Sequence, residues 1–183
     1  MSMTRRRVLT AVGLIGVLIV LGCALHARAK RSEREWHVWS KGGILYRDWQ
    51  FDENGKLNDH YPSKLESVRD MIGVTQIVWL DCSGDSFSDD DVDIILAFGE
   101  LRKLKLDGSR ITDKGLCRLS ALQRLDEIDI CDTETGVAGL RCLAASPKLR
   151  KVHVSRSQVT DIEIRELADR GLEIEVAPQP FTP

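Results

Sequence analysis

One apolar pattern returns along this chain at a fixed step, and no other feature constrains its fold so tightly. Leu101-x-x-Leu104-x-Leu106 recurs as Leu125-x-x-Ile128-x-Ile130 and as Leu149-x-x-Val152-x-Val154, each 24 residues after the last. Val78-x-Leu80 stands 26 residues before Leu104-x-Leu106, and Ile174-x-Val176 stands 22 residues after Val152-x-Val154. Units this short cannot bury an apolar face alone, so they must stack. Within a unit, the alternation Leu104-x-Leu106 reads as a strand with one buried face. Ile111-Thr112-Asp113-Lys114-Gly115-Leu116 then reads as a helix start. Thr112 is placed to cap it, and Asp113 sits at its positive end. Val159-Thr160-Asp161 repeats the device, and Phe87-Ser88-Asp89-Asp90-Asp91 adds a capping-box spacing between Ser88 and Asp91. The helix then buries Leu116, Leu119 and Leu122, or Ile164 and Leu167 in the fourth unit. The third unit has Thr135-Gly136-Val137 instead, which predicts a poor helix start or a 3₁₀ turn.

A period in this range with this pattern is the leucine-rich-repeat signature. The expected fold is therefore α/β: a short leucine-rich-repeat solenoid of about five parallel rungs over residues 74–176. Ser109, Thr133 and Ser157 fall on the turn after each strand, where stacked hydroxyls can bond neighbouring backbone groups. Residues 32–73 do not repeat. They read as a helix Glu33–Ser40 ended by Gly42-Gly43, a strand Ile44–Phe51, a turn Asp52–Gly55 and a helix Ser63–Ile72. Seven of the ten aromatic residues lie between Trp36 and Trp79, as suits an N-terminal α/β cap closing the first exposed rung. Residues 177–183 form a Pro-rich tail that cannot continue a sheet.

The N-terminal 31 residues are of another kind. Val8–Leu25 runs for 18 residues without a charge, between Arg5-Arg6-Arg7 and the basic group Arg28, Lys30, Arg31, Arg34. At roughly 1.5 Å per helical residue it just reaches across a bilayer. Three readings compete: a retained anchor, a signal cleaved near Ala27-Arg28-Ala29, and a lipoprotein modified at Cys23 within Val20-Leu21-Gly22-Cys23. Length favours the anchor, a single-pass transmembrane helix over residues 8–25 with membrane localisation. Basic residues flank both ends, so the orientation stays open. Setting aside the six basic groups of this segment leaves 20 basic against 28 acidic groups, a balance that excludes a nucleic-acid partner. The five cysteines (Cys23, Cys82, Cys117, Cys131, Cys142) form no C-x-x-C pair and no zinc spacing. Free thiols, packed as small apolar groups in the repeats, are the expected state.

The layout resembles a family of membrane-anchored leucine-rich-repeat proteins common in planctomycete bacteria. These have a short N-terminal membrane segment, a helix ending in Gly-Gly, a strand like Ile44-Leu45-Tyr46-Arg47-Asp48-Trp49, and repeats of the form L-x-x-L-x-L-x-x-T-x-I-T-D-x-G-L. Leu101–Leu116 matches with Ser109 in the Thr place, while Leu125–Leu140 and Leu149–Ile164 match more weakly. More distantly, the repeats look like those of F-box substrate receptors, but no F-box-like segment is present. The resemblance implies binding or scaffolding, and it carries over no catalytic residue.

Nothing in the chain spells an enzyme. G-x-x-x-x-G-K-[ST], H-E-x-x-H, G-x-S-x-G and G-x-G-x-x-G are all missing. His26, His37, His60 and His153 fall on different elements. The acidic group Asp85, Asp89, Asp90, Asp91, Asp93 lacks EF-hand spacing and reads as a helix start. No catalytic, cofactor-binding or metal-binding residue is assigned, and no small-molecule substrate. Outward strand positions should carry Lys103 and Lys105, then Glu127 and Asp129, Lys151 and His153, Glu173 and Glu175. Opposite charges then meet across strands, and the face has no single sign to steer a charged partner. Trp79 reads as packing on the cap or as an anchor for a partner. The candidate contacts for a protein partner are Trp79, Lys105, Asp129 and His153. The expected function is a membrane-tethered protein-interaction module, with a self-associating envelope protein as the alternative.

Overall fold

The computed structural model describes residues 3–52, 56–57 and 75–177, with only the helical backbone for 3–18 and 20. The chain divides into two compact units, Met1–His37 and Val38–Pro183. Helix α1 (Met3–Ser40) is continuous, so the separate helix expected over Glu33–Ser40 is the end of a longer one. No residue between Leu25 and Glu33 is Gly or Pro, so nothing stops the helix there. Its end comes at Gly42, whose φ of +85° lets the amides of Gly42 and Gly43 turn back to the carbonyls of Trp39 and Val38. Among the described residues no helix is long and apolar enough to cross a membrane. The span Val8–Leu25 lies mostly outside the residues whose side chains are described. So do the helix Ser63–Ile72 and the tail 178–183.

The larger unit is mixed α/β, with a six-stranded sheet in the order β1 to β6: Ile44–Arg47, Ile77–Asp81, Lys103–Lys105, Glu127–Asp129, Lys151–Ser155 and Glu173–Ala177. Strand β1 runs antiparallel to β2, and every later pair is parallel. Parallel neighbours need a crossover. Helices α2 (Val92–Leu96), α3 (Asp113–Leu119), α4 (Val137–Leu143) and α5 (Asp161–Asp169) supply it. The cap strand is shorter than expected, because Asp48–Gln50 close a 3₁₀ turn after Arg47.

The apolar repeat is the core. Leu80, Leu104, Ile128, Val152 and Ile174 stand in register across the sheet, and the first four are at most 2% exposed. Leu116, Leu119, Leu140, Leu143 and Leu167 close on them from the helices. Each such side chain contributes roughly 1.5–3 kcal/mol by leaving water. In β2, Ile77 is buried and Val78 only half-buried, against the alternation read from the sequence. A register shift between Tyr46 and Arg47, which pairs Arg47 with Ile77, is the local cause.

Helix starts depart from expectation in an instructive way. The α4 start is regular although Gly136 offers no capping side chain, because Asp113 accepts the Gly136 amide at 2.8 Å. Asp89 likewise accepts the Thr112 amide at 2.9 Å and the Thr112 hydroxyl at 2.6 Å. Each helix is thus capped by an Asp of the unit before it. The expected hydroxyl ladder holds only at Thr133, which donates to the Ile130 carbonyl at 2.7 Å. Ser109 is buried with its hydroxyl unpaired among the described residues, and Ser157 is exposed. Gln158 does the bridging instead, donating to the Ile130 carbonyl at 2.9 Å and to the Thr133 hydroxyl at 3.0 Å.

Candidate functional site

Residues between the buried positions of each strand leave the core and form two columns. One runs Tyr46, Trp79, Lys103, Glu127, Lys151, Glu173, and the other Ile44, Asp81, Lys105, Asp129, His153, Glu175. The alternation of sign from rung to rung is therefore present in the register. Its ion pairs are distributed unevenly. Lys103 meets Glu127 at 2.9 Å, and Lys151 meets Glu175 at 2.5 Å and Glu173 at 3.9 Å. His153 presents Nε2 to Glu127 at 3.2 Å and Nδ1 to Glu175 at 3.0 Å. An imidazolium donates to both carboxylates at once.

Lys105 departs from the expected ladder: it makes no ion pair among the described residues, although Asp81 and Asp129 stand beside it in register. Both carboxylates turn to their own strand ends. Asp81 accepts the Ser83 amide at 3.1 Å and the Ser83 hydroxyl at 2.6 Å, and Asp129 accepts the Cys131 amide at 3.0 Å. A short local bond to a turn amide wins over a longer reach to a solvated ammonium.

Charge on this face moves its neighbours' titration. Burial works to raise Glu127, but bonding to Lys103 and then His153 outweighs it and holds that carboxyl below its ordinary value. The bond to Glu175 raises Lys151. Beside the face, burial and then the charge of Asp129 push Asp107 up.

All four sequence candidates meet at one place. Trp79, Lys105, Asp129 and His153 line an open depression of about 210 Å³, together with Lys103, Leu104 and Glu127. Trp79 does both things read from the sequence: it stacks on Tyr46 with ring centroids 4.3 Å apart and also lines the depression. Lys103 and Glu127 were read as ladder members but not as site residues. Their place in the same columns was the available signal.

The cysteines bring a correction. Cys117 of α3 and Cys142 of α4 are joined in a disulfide, with Cα atoms 4.9 Å apart, where free thiols were expected. Local spacing hides this pair. A separation of 25 residues is close to one repeat, so it places the two on adjacent helices. Cys23, Cys82 and Cys131 are free. Burial, then Asp81, raises the Cys82 thiol. Burial, then bonding to Asp129, pushes Cys131 up to about 12. Neither has the low thiolate cost of a nucleophile. The described His, Cys, Asp and Glu form no group able to hold a metal.

No family model matches the chain, and no curated protein matches it. A solved structure, leiomodin-1 actin-binding site 2, is similar over 66% of this chain and 83% of that one, with 10% identity and a TM-score of 0.46.

Proposed function

We propose that this chain is a membrane-anchored leucine-rich-repeat solenoid of the planctomycete-like kind, and that it works by binding protein on its sheet face rather than by catalysis. The supporting observation is that face itself. Helices cover one side of the sheet, while the two outward columns stay half-buried or exposed around a depression at Trp79. A fixed aromatic ring beside polar groups is the usual composition of a contact anchor. Residues 8–25 act as a single-pass anchor, on the strength of their length. The Cys117–Cys142 bond favours an oxidising compartment for the repeats, since disulfides persist there and are reduced in the cytosol.

A photo-crosslinking residue at position 105 of the full chain, in its native membrane, tests the contact face. Position 114, on the helical side, serves as control. Crosslinked protein from position 105 and none from 114 is the expected result. Crosslinks from 114 alone, or from neither, would move the contact elsewhere or remove it.

A further inference from the structure

The charge order of the sheet face has a property that a merely neutral surface lacks. From β3 to β6 the rungs read basic, acidic, basic, acidic: Lys103 and Lys105, Glu127 and Asp129, Lys151 and His153, Glu173 and Glu175. Reversed, that order becomes acidic, basic, acidic, basic. A second copy turned over by a two-fold axis parallel to the strands, passing between β4 and β5, therefore sets each rung against one of opposite sign. Columns stay in register under this operation. Lys103 faces Glu173 of the second copy, Lys105 faces Glu175, Glu127 faces Lys151, and Asp129 faces His153. Symmetry then doubles these contacts.

Other arrangements fail. An axis across the strands puts each rung on its own copy, like against like. Moving the parallel axis onto β4 or β5 does the same for every overlapping rung. Only an axis between strands matches signs, and only the central one uses all four rungs. Like charges placed opposite one another are destabilising, so the pattern selects one registration and disfavours its neighbours.

We propose that the partner on this face is a second copy of the same chain, paired about that axis. The inference rests on reading the face as a protein-contact surface and names its occupant. Two residues make the pairing more than an exchange of bonds already made. Lys105 and Asp129 have no cross-strand ion pair within the chain, and the second copy offers them Glu175 and His153. Trp79 lies on β2, outside the four overlapping rungs, and remains at the rim. Four rungs at about 4.8 Å spacing make a small contact, so the pairing is reversible and salt-sensitive.

The test uses the full chain in nonionic detergent at low ionic strength, followed by sedimentation velocity. The parent should show a dimer that dissociates as salt is raised. Lys103→Glu/Lys105→Glu gives acid opposite acid, and Glu173→Lys/Glu175→Lys gives base opposite base, so each alone should be monomeric. Mixed in equal amounts, the two variants again oppose unlike charges at every rung, and heterodimer should return to at least the parent's level. Dimers of either variant alone as abundant as the parent's, or a monomeric mixture of folded variants, would overturn the proposal.

A second measurement needs no variant. Carbodiimide treatment of isotopically light and heavy parent, mixed, should give Lys103–Glu173 and Lys151–Glu127 links that carry both isotopes. Links of one isotope only would overturn it. If position 105 crosslinks a different protein while these links stay within one chain, the contact face stands and the self-pairing falls.

Discussion

Glu127 sits between Lys103 and His153, and protonating it weakens both contacts. Its carboxyl is held below the ordinary 4.5, so the stability it contributes is complete above that value. That contribution is lost as pH falls through the lowered folded value. Glu127→Gln should accordingly be less stable than the parent at about pH 7, with the gap closing by about pH 3. Denaturant melts at the two pH values check this, and a gap of equal size at both would assign the loss to packing. Gly139 is a residue-scale case of another sort. A Cβ there would lie 2.6 Å from Asp113 Oδ1, 2.9 Å from Leu116 Cδ1 and 3.1 Å from the Asp113 backbone, so the neighbouring unit has no room to give. Gly139→Ala should cost about 1–3 kcal/mol, read as a lower denaturation midpoint with unchanged slope. The Gly of T-D-x-G is legible in the sequence as a recurring letter. Its reason is not, because the atoms it avoids belong to the unit before.

The same Asp explains how consecutive elements are tied. Asp89 caps the start of α3 and Asp113 the start of α4, each reaching 23 residues forward over the Gly of the next helix. The sequence shows these acids only as favourable first-turn charges of their own helices, since local spacing cannot reveal a partner one period away. Val137 breaks the series, having no carboxylate to send to Thr160. The next unit adapts: Glu163 replaces the Gly and accepts the Thr160 amide at 2.8 Å, and that bonding holds its carboxyl below the ordinary value. Two sequence anomalies, Val137 and Glu163, are thus one structural substitution. Val137→Asp alone should destabilise the domain, because two carboxylates then compete for Thr160. Added to it, Glu163→Gly should recover part of that loss despite costing about 1 kcal/mol as a helical glycine. A double-mutant cycle measures the coupling, expected at about 0.5–3 kcal/mol. A coupling of zero would mean that the inter-unit cap does not transfer to this helix.

At the scale of the molecule, the parallel order and the charge columns were legible because they depend on period and alternation alone. The antiparallel cap strand and the Cys117–Cys142 bond were not. Both depend on which segments end up side by side, and only the stacking decides that. The disulfide staples α3 to α4 and closes a loop of about one repeat, so removing it should cost about 3 kcal/mol. Cys117→Ser/Cys142→Ser should lower the melting temperature of the chain in detergent accordingly. Counting thiols tests the bond directly. Denatured without reductant, the chain should alkylate at Cys23, Cys82 and Cys131 only, and at all five cysteines after reduction. In the native state Cys82 and Cys131 should react slowly, since burial raises the cost of their thiolates. Alkylating intact cells before lysis extends the test to the compartment. Protected Cys117 and Cys142 place the repeats on the oxidising side of the membrane, whereas modification of both would place them in a reducing space and remove the staple from the working protein.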